Sequence, residues 1–230
     1  MVTDIFSQPL FGVGLTLLVY ALAQLLYART RSMLLTPVAF SIIAIILLLL
    51  VFDIPYASYA KGGRYVLFML GPSVVALALP LYKRHREIAA RKRPILLGIL
   101  AGVFASVASA SGVAWFLGGS PAVVRSLGPK SVTTPIAIGI VEKIGGIPEL
   151  TAALVVLTGC IGAICGPEFC RLIGIRSVAA TGLAVGTASH GIGTARMLAV
   201  DRFGGAVAGL AIGLNGLASA ILVPLLFALF

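Results

Sequence analysis

The sequence predicts an all-α fold, a polytopic transmembrane helical bundle of about seven or eight membrane segments that include broken or re-entrant helices. Three observations predict it. Hydrophobic residues make up 60% of the 230 positions and charged residues 10%, with a mean hydropathy of +1.12, whereas soluble domains carry roughly 25% charged residues. Apolar stretches recur along the whole chain, at about 9–28, 34–52, 64–82, 94–118, 131–142, 149–171, 177–199 and 203–229, most of them near the ~20 residues that cross a bilayer. Clusters of proline and glycine interrupt or bracket two of these stretches, at Pro121, Pro129, Pro135, Gly145, Gly146 and Pro148 and at Gly186, Gly191 and Gly193. Such spans use up most of the chain, so residues 1–230 are read as a single transmembrane domain.

The first stretch follows Asp4 without a basic leader and is longer than a signal-peptide core, which predicts a retained first span. The next loops are organised by charge. Arg29 and Arg31 follow the first stretch, and Lys83, Arg84, Arg86, Arg91, Lys92 and Arg93 crowd the loop after the third. Two spans separate these loops, so both lie on one side, and the excess of basic residues assigns that side to the cytoplasm. The loop at 53–63 holds only Lys61 and falls outside, together with the N-terminus. Topology thus accounts for the net charge of +10, no nucleic-acid partner is implied, and contact with anionic membrane lipid follows from the same residues.

The fifth stretch, 131–142, is too short to span. Pro121, Pro129, Pro135, Gly145, Gly146 and Pro148 bracket it, which predicts a half-spanning or re-entrant element. Counting it as re-entrant places Arg171 and Arg176 in the cytoplasm; counting it as a span places them outside. On the sixth stretch Cys160, Cys165 and Cys170 are five apart and face different ways, as small buried hydrophobes do and metal ligands do not. The seventh is long enough to span but carries a glycine-rich polar run near its middle, where a break is expected. In the eighth, Gly205, Gly209 and Gly213 share one helix face and predict close helix packing, within the chain or with another copy; a homo-oligomer is expected. Asn215 lies just beyond, between Gly213 and Ser219, in a position suited to an interhelical hydrogen bond. A weak echo, Thr36-Pro37 then Gly71-Pro72 against Thr134-Pro135 then Gly166-Pro167, suggests repeats at about 34–118 and 131–230, with chance recurrence the alternative.

Two runs carry chemistry. Around Gly128–Pro135, a proline-bounded helix start leaves backbone N–H groups free beside Lys130, Ser131, Thr133 and Thr134. Anion binding and simple helix capping are the two readings open there. In Gly186–Ala195, lipid offers no partner to Thr187, Ser189, His190 and Thr194, so the run faces protein or a polar cavity. A chain unwound near Gly191 and Gly193 would aim a half-helix N-terminus at a carboxylate, with His190 either titrating during transport or hydrogen-bonded in packing. Arg196 either neutralises a bound acid or extends to the interface. Glu142, Lys143, Glu149 and Glu168 flank segments and read as interfacial. The chain shows no phosphate loop, no paired intramembrane carboxylates and no His-rich metal pattern, so neither catalysis, a cofactor nor a metal is expected.

Several of these pieces together resemble one family. Leu70-Gly71-Pro72, Pro80-Leu81-Tyr82, the run Pro129–Ala137, Gly145-Gly146-Ile147-Pro148, Thr158-Gly159, Gly166-Pro167 and the run Gly186–Ala195, in this order over nearly the whole chain, resemble the LrgB/CidB family of bacterial membrane proteins. The resemblance implies an inner-membrane protein acting with a small LrgA/CidA-type partner. It implies one of two roles: an antiholin- or holin-like modulator of murein hydrolase export and autolysis, or a carrier of small monocarboxylates such as pyruvate, lactate, glycolate or glycerate. Two buried hydroxyl-rich breaks suit a carboxylate carrier better than a lesion former. The expected substrate-binding set is Ser131, Thr133 and Thr134 with Thr187, Ser189, His190 and Thr194.

Overall fold

A computed structural model of the chain describes residues 6, 8–30, 37–69, 72, 79, 82–83 and 85–229. Asp4, Arg31, Thr36, Gly71, Pro80, Leu81, Arg84 and most of the third apolar stretch beyond Met69 lie outside the described residues. Among the described residues the regular structure is helical: α1 (Pro9–Thr30), α2 (Pro37–Val51), α3 (Tyr56–Phe68), α4 (His85–Ala90), α5 (Lys92–Phe116), α6 (Pro121–Leu127), α7 (Thr134–Ile144), α8 (Pro148–Leu172), α9 (Val178–Val200) and α10 (Arg202–Ala228). Helices α1, α5, α8 and α10, of 22, 25, 25 and 27 residues, are long and apolar enough to cross a bilayer, and α2 is apolar but shorter. Hydropathy places the start of α3 too late and misses the short helices α4 and α6. Pro121 at the first position of α6, and Ser120 accepting a hydrogen bond from Val123 N, start that helix without an apolar stripe.

Contacts group the chain into two compact units, Met1–Leu77 and Ala78–Phe230. In the first, α1 and α3 approach at glycines: a Cβ on Gly12 would stand 3.0 Å from the Gly62 Cα and closer still to the Tyr59 carbonyl. The Thr16 and Tyr59 hydroxyls hydrogen-bond at 2.9 Å beside that contact, and Val19, Ile45 and Leu49 close the apolar core between α1 and α2.

The second unit holds the long helices α5, α8 and α10 and two hairpins between them. Helix α9 reverses at His190, whose backbone leaves the helical region at φ 41°, ψ −135°. Met197 and Val178, which a straight helix would hold about 28 Å apart, both lie against Gly204 of α10, and a Cβ on Gly193 would stand 3.0 Å from Val185. The two arms, residues 178–189 and 191–200, measure about 18 and 15 Å, so neither crosses a ~30 Å hydrocarbon core. The second hairpin is α6–α7. Ser126 at the end of α6 accepts a hydrogen bond from Ile147 N at 2.8 Å, and Thr151 of α8 donates to the Ser126 carbonyl at 3.0 Å. The chain therefore travels out to Ser131 and returns along α7 to the level it left. The short fifth apolar stretch is one arm of this hairpin, as its length and bracketing prolines require.

Helix α5 gives the relative order of the hairpins. Moving from its N-terminal to its C-terminal half, Leu183 lies against Gly98, Thr187 against Gly102, Ser131 bonds Ser106, and the Val124 carbonyl accepts from Ser111. The hairpins thus enter from opposite ends of α5 and meet near its middle. The α9 hairpin opens at the end where the Arg91 guanidinium stands 5.7 Å above the Phe203 ring and where Arg91, Ser177 and Phe203 line one cavity. Arg176 and Arg202, the chain neighbours of Ser177 and Phe203, therefore lie near Arg91 at that end.

Close packing of α9 on α10 comes from glycines of α9 more than from the α10 stripe. A Cβ on Gly182 would strike the Gly204 carbonyl, and one on Gly186 would strike the Ala208 backbone. Of the stripe, Gly205 meets Leu198, while nothing lies within 4 Å of a Cβ on Gly213. Cys170 packs with Val185, Met197 and Ala208 as a small apolar side chain.

A candidate site where two hairpin tips meet

Asn215 stands midway along α10 and is almost fully buried. Its amide nitrogen donates to the Ser131 carbonyl at 3.1 Å and to the Thr187 carbonyl at 3.0 Å, and its oxygen accepts from Ser219 at 3.4 Å. One side chain thus joins the tip of the α6–α7 hairpin to the first arm of the α9 hairpin, across 84 and 28 residues of sequence. A backbone interrupted at membrane depth has carbonyls with no helical partner, and an amide side chain can supply two donors at once.

Lys130 adds a charge to the junction. Its ammonium donates to the Ser106 and Ser131 hydroxyls, both at 3.3 Å, and these hydroxyls bond one another at 2.8 Å. No carboxylate among the described residues forms an ion pair with it. An ammonium has three N–H donors, so one is left for an incoming acceptor. Thr187 contributes a second unused group: its hydroxyl oxygen is buried without a hydrogen-bond partner while its methyl rests on Gly102. Thr133 occupies the N-cap of α7, but its hydroxyl makes no capping bond, unlike Ser120 on α6, Ser177 on α9 and Asp201 on α10. The space between Ser106, Ser131, Asn215 and Ser219 has no room for a water molecule, so a solute enters only when the tips separate.

The remaining residues named from sequence are held elsewhere. His190 Nε2 hydrogen-bonds the Val155 carbonyl of α8 at 2.9 Å, over Gly159, where a Cβ would come within 2.7 Å of the ring. Ser189 fills the space above Gly162, and Thr194 donates to the His190 carbonyl at 2.8 Å. Thr134 is half-buried at the start of α7. Arg196 pairs with Glu168 of α8 at 2.9 Å, with side chains 17% and 23% exposed, so its charge is already met by a carboxylate. Sequence reading missed Ser106, which sits among small residues of α5 and shows its role only through its contact with Lys130.

A positive φ at a residue with a Cβ costs about 1–3 kcal/mol, and the Val155 bond is worth about 1 kcal/mol. His190→Gly loses the bond and relieves the strain, whereas His190→Ala loses the bond and keeps the strain. Thermal unfolding in detergent is expected to rank wild type and His190→Gly close together and His190→Ala clearly below. Glu168→Gln removes the counter-charge beside a largely buried guanidinium and is expected to destabilise by about 1–3 kcal/mol; the double variant Glu168→Gln, Arg196→Met should recover part of that loss.

The sequence profile of the LrgB-like family matches residues 16–229. An uncharacterized Bacillus subtilis protein, YxaC, is 39% identical over 184 residues, which cover 80% of each chain. The proteins called holin-like protein CidB in Staphylococcus epidermidis and Staphylococcus aureus are 32% and 33% identical over 225 residues, or 98% of each chain. No solved structure matches the chain.

Proposed function

The chain belongs to the LrgB-like family, and from that membership we propose that it is an inner-membrane carrier of small monocarboxylates of the glycolate, glycerate, lactate and pyruvate type. The observation that carries this reading is Lys130, a cation without a paired carboxylate among the described residues, held by two serines beside the Asn215 junction. The substrate carboxylate takes the spare Lys130 donor and the Ser131 and Thr187 hydroxyls, and the uncapped start of α7 near Thr133 and Thr134 adds a favourable backbone field. Ser189, His190 and Thr194 hold the second hairpin in shape rather than touch the substrate. The basic end faces the cytoplasm, the N-terminus is periplasmic, and a small LrgA/CidA-type protein is the assembly partner.

Uptake of labelled monocarboxylates into proteoliposomes, with and without the small partner, tests the reading. A hydrogen bond to a charged group is worth about 1.5–3 kcal/mol, so Lys130→Gln is expected to raise KM roughly 10- to 100-fold. Absence of saturable flux for all four acids removes the proposal.

The names of the staphylococcal relatives favour a second reading, a holin-like modulator of murein hydrolase export. A lesion former releases a large dye from loaded vesicles and a carrier retains it. Dye release by the purified chain would decide for the second reading.

A further inference from the structure

At the open end of the α9 hairpin lies a cavity of about 240 Å³, walled by α5, α9, α10 and Ile88 of α4. Most of its lining is apolar, but Arg91 and Ser177 contribute polar groups at its rim, and the Arg91 guanidinium is steadied over the Phe203 ring at 5.7 Å. Arg91 lines the cavity, and Lys92, Arg93, Arg176 and Arg202 are the chain neighbours of lining residues, so the segments that form it are basic. Asp201, whose carboxylate caps Gly204 N, is the acidic neighbour on α10.

The inner wall of this cavity includes Leu183. The side chain of Leu183 rests on Gly98 of α5, and one turn further along α9 the Thr187 methyl rests on Gly102. Thr187 carries the unpartnered buried hydroxyl, and its carbonyl is held by Asn215. Leu183 therefore stands on the inner wall of the cavity one helical turn from Thr187, packed against the apolar cluster that includes Ile95 and Ile99, and it lies over a glycine where a narrower residue would leave a gap.

We propose that this cavity is the entry vestibule for an organic carboxylate anion, with Arg91 drawing the anion in and Leu183 acting as the gate between the vestibule and the Thr187–Asn215 junction. This inference rests on the carrier reading for the identity of the solute. It does not rest on that reading for the existence of an anion-selective path.

The test uses the full chain in sealed vesicles, with Cys160, Cys165 and Cys170 replaced by Ala and one cysteine introduced at a time. Ala180 lines the cavity and is exposed. At Ala180→Cys, a negatively charged sulfonatoethyl methanethiosulfonate is expected to react about tenfold faster than its positively charged trimethylammonium analogue. Arg91→Gln is expected to abolish most of that preference. At Thr187→Cys, reaction with the anionic reagent is expected to be slow with Leu183 present and to quicken through Leu183→Val to Leu183→Ala. The graded pair keeps the test valid if the alanine variant folds poorly.

Equal rates for the two reagents at Ala180→Cys, a preference that survives Arg91→Gln unchanged, or a Thr187→Cys rate indifferent to residue 183 would each overturn the proposal. The two failures are separable. Anion-selective labelling without saturable uptake leaves the vestibule and removes the carrier, and saturable uptake without charge preference does the reverse.

Discussion

Asn215→Leu is expected to reduce carboxylate uptake by about 100-fold or more, the largest functional effect of any single substitution here. Leucine keeps the branched four-atom skeleton of asparagine, with bulkier methyl ends, yet it strips the donors from the Ser131 and Thr187 carbonyls. Each buried acceptor left unpaired costs about 1–3 kcal/mol, and the two lie on different hairpins, so the tips relax apart. Asn215→Asp serves as the informative companion. It keeps shape and polarity but sets a carboxylate against two carbonyl oxygens, and it should be as inactive as the leucine variant. Uptake measured against the amount of monodisperse protein checks both, and uptake within twofold of wild type in either variant would mean that the tips need no clamp.

Gly186→Val is expected to have the largest effect on stability. The new side chain would enter the Ala208 backbone, and because both positions lie within helices the conflict can be relieved only by moving α9 away from α10. Overpacking of a fitted core costs about 1–3 kcal/mol, and here the obstacle is main chain, so the upper end applies. Gly191→Ala is the matched control. A Cβ there meets nothing within 4 Å, and replacing a helical glycine gains up to about 1 kcal/mol of helix propensity. Thermal unfolding in one detergent should therefore lower the transition for Gly186→Val by several degrees or prevent recovery of folded protein, and leave it unchanged or raised for Gly191→Ala.

These effects trace which parts of the fold are legible in sequence. Long apolar runs are read directly because the bilayer sets their length, and the bounds of α1, α5, α8 and α10 follow hydropathy to within a few residues. The two interruptions are also legible, since proline and glycine clusters have no other use inside an apolar segment. The turning residue is not. Local preference points to Gly191 or Gly193, yet the backbone leaves the helix at His190, where the ring reaches the Val155 carbonyl and finds space over Gly159. Tertiary contact overrides conformational preference there, and it comes from a helix far away in sequence. The same distance hides the site. Asn215 is recognisable as an interhelical donor, but its acceptors on two different hairpins are not encoded in any local pattern. Helices α4 and α6 escape hydropathy because they are short and lack an apolar stripe.

The proposed carboxylate site lies between the tips of two opposed hairpins, joined by Asn215 and charged by Lys130. A structure of the protein determined with glycolate at a concentration that saturates uptake tests it most directly. A carboxylate is expected within hydrogen-bonding reach of Lys130 Nζ and the Thr187 hydroxyl, with the tips further apart than in the closed junction. A carboxylate bound elsewhere in the chain, or an unchanged and empty junction at that concentration, would contradict it.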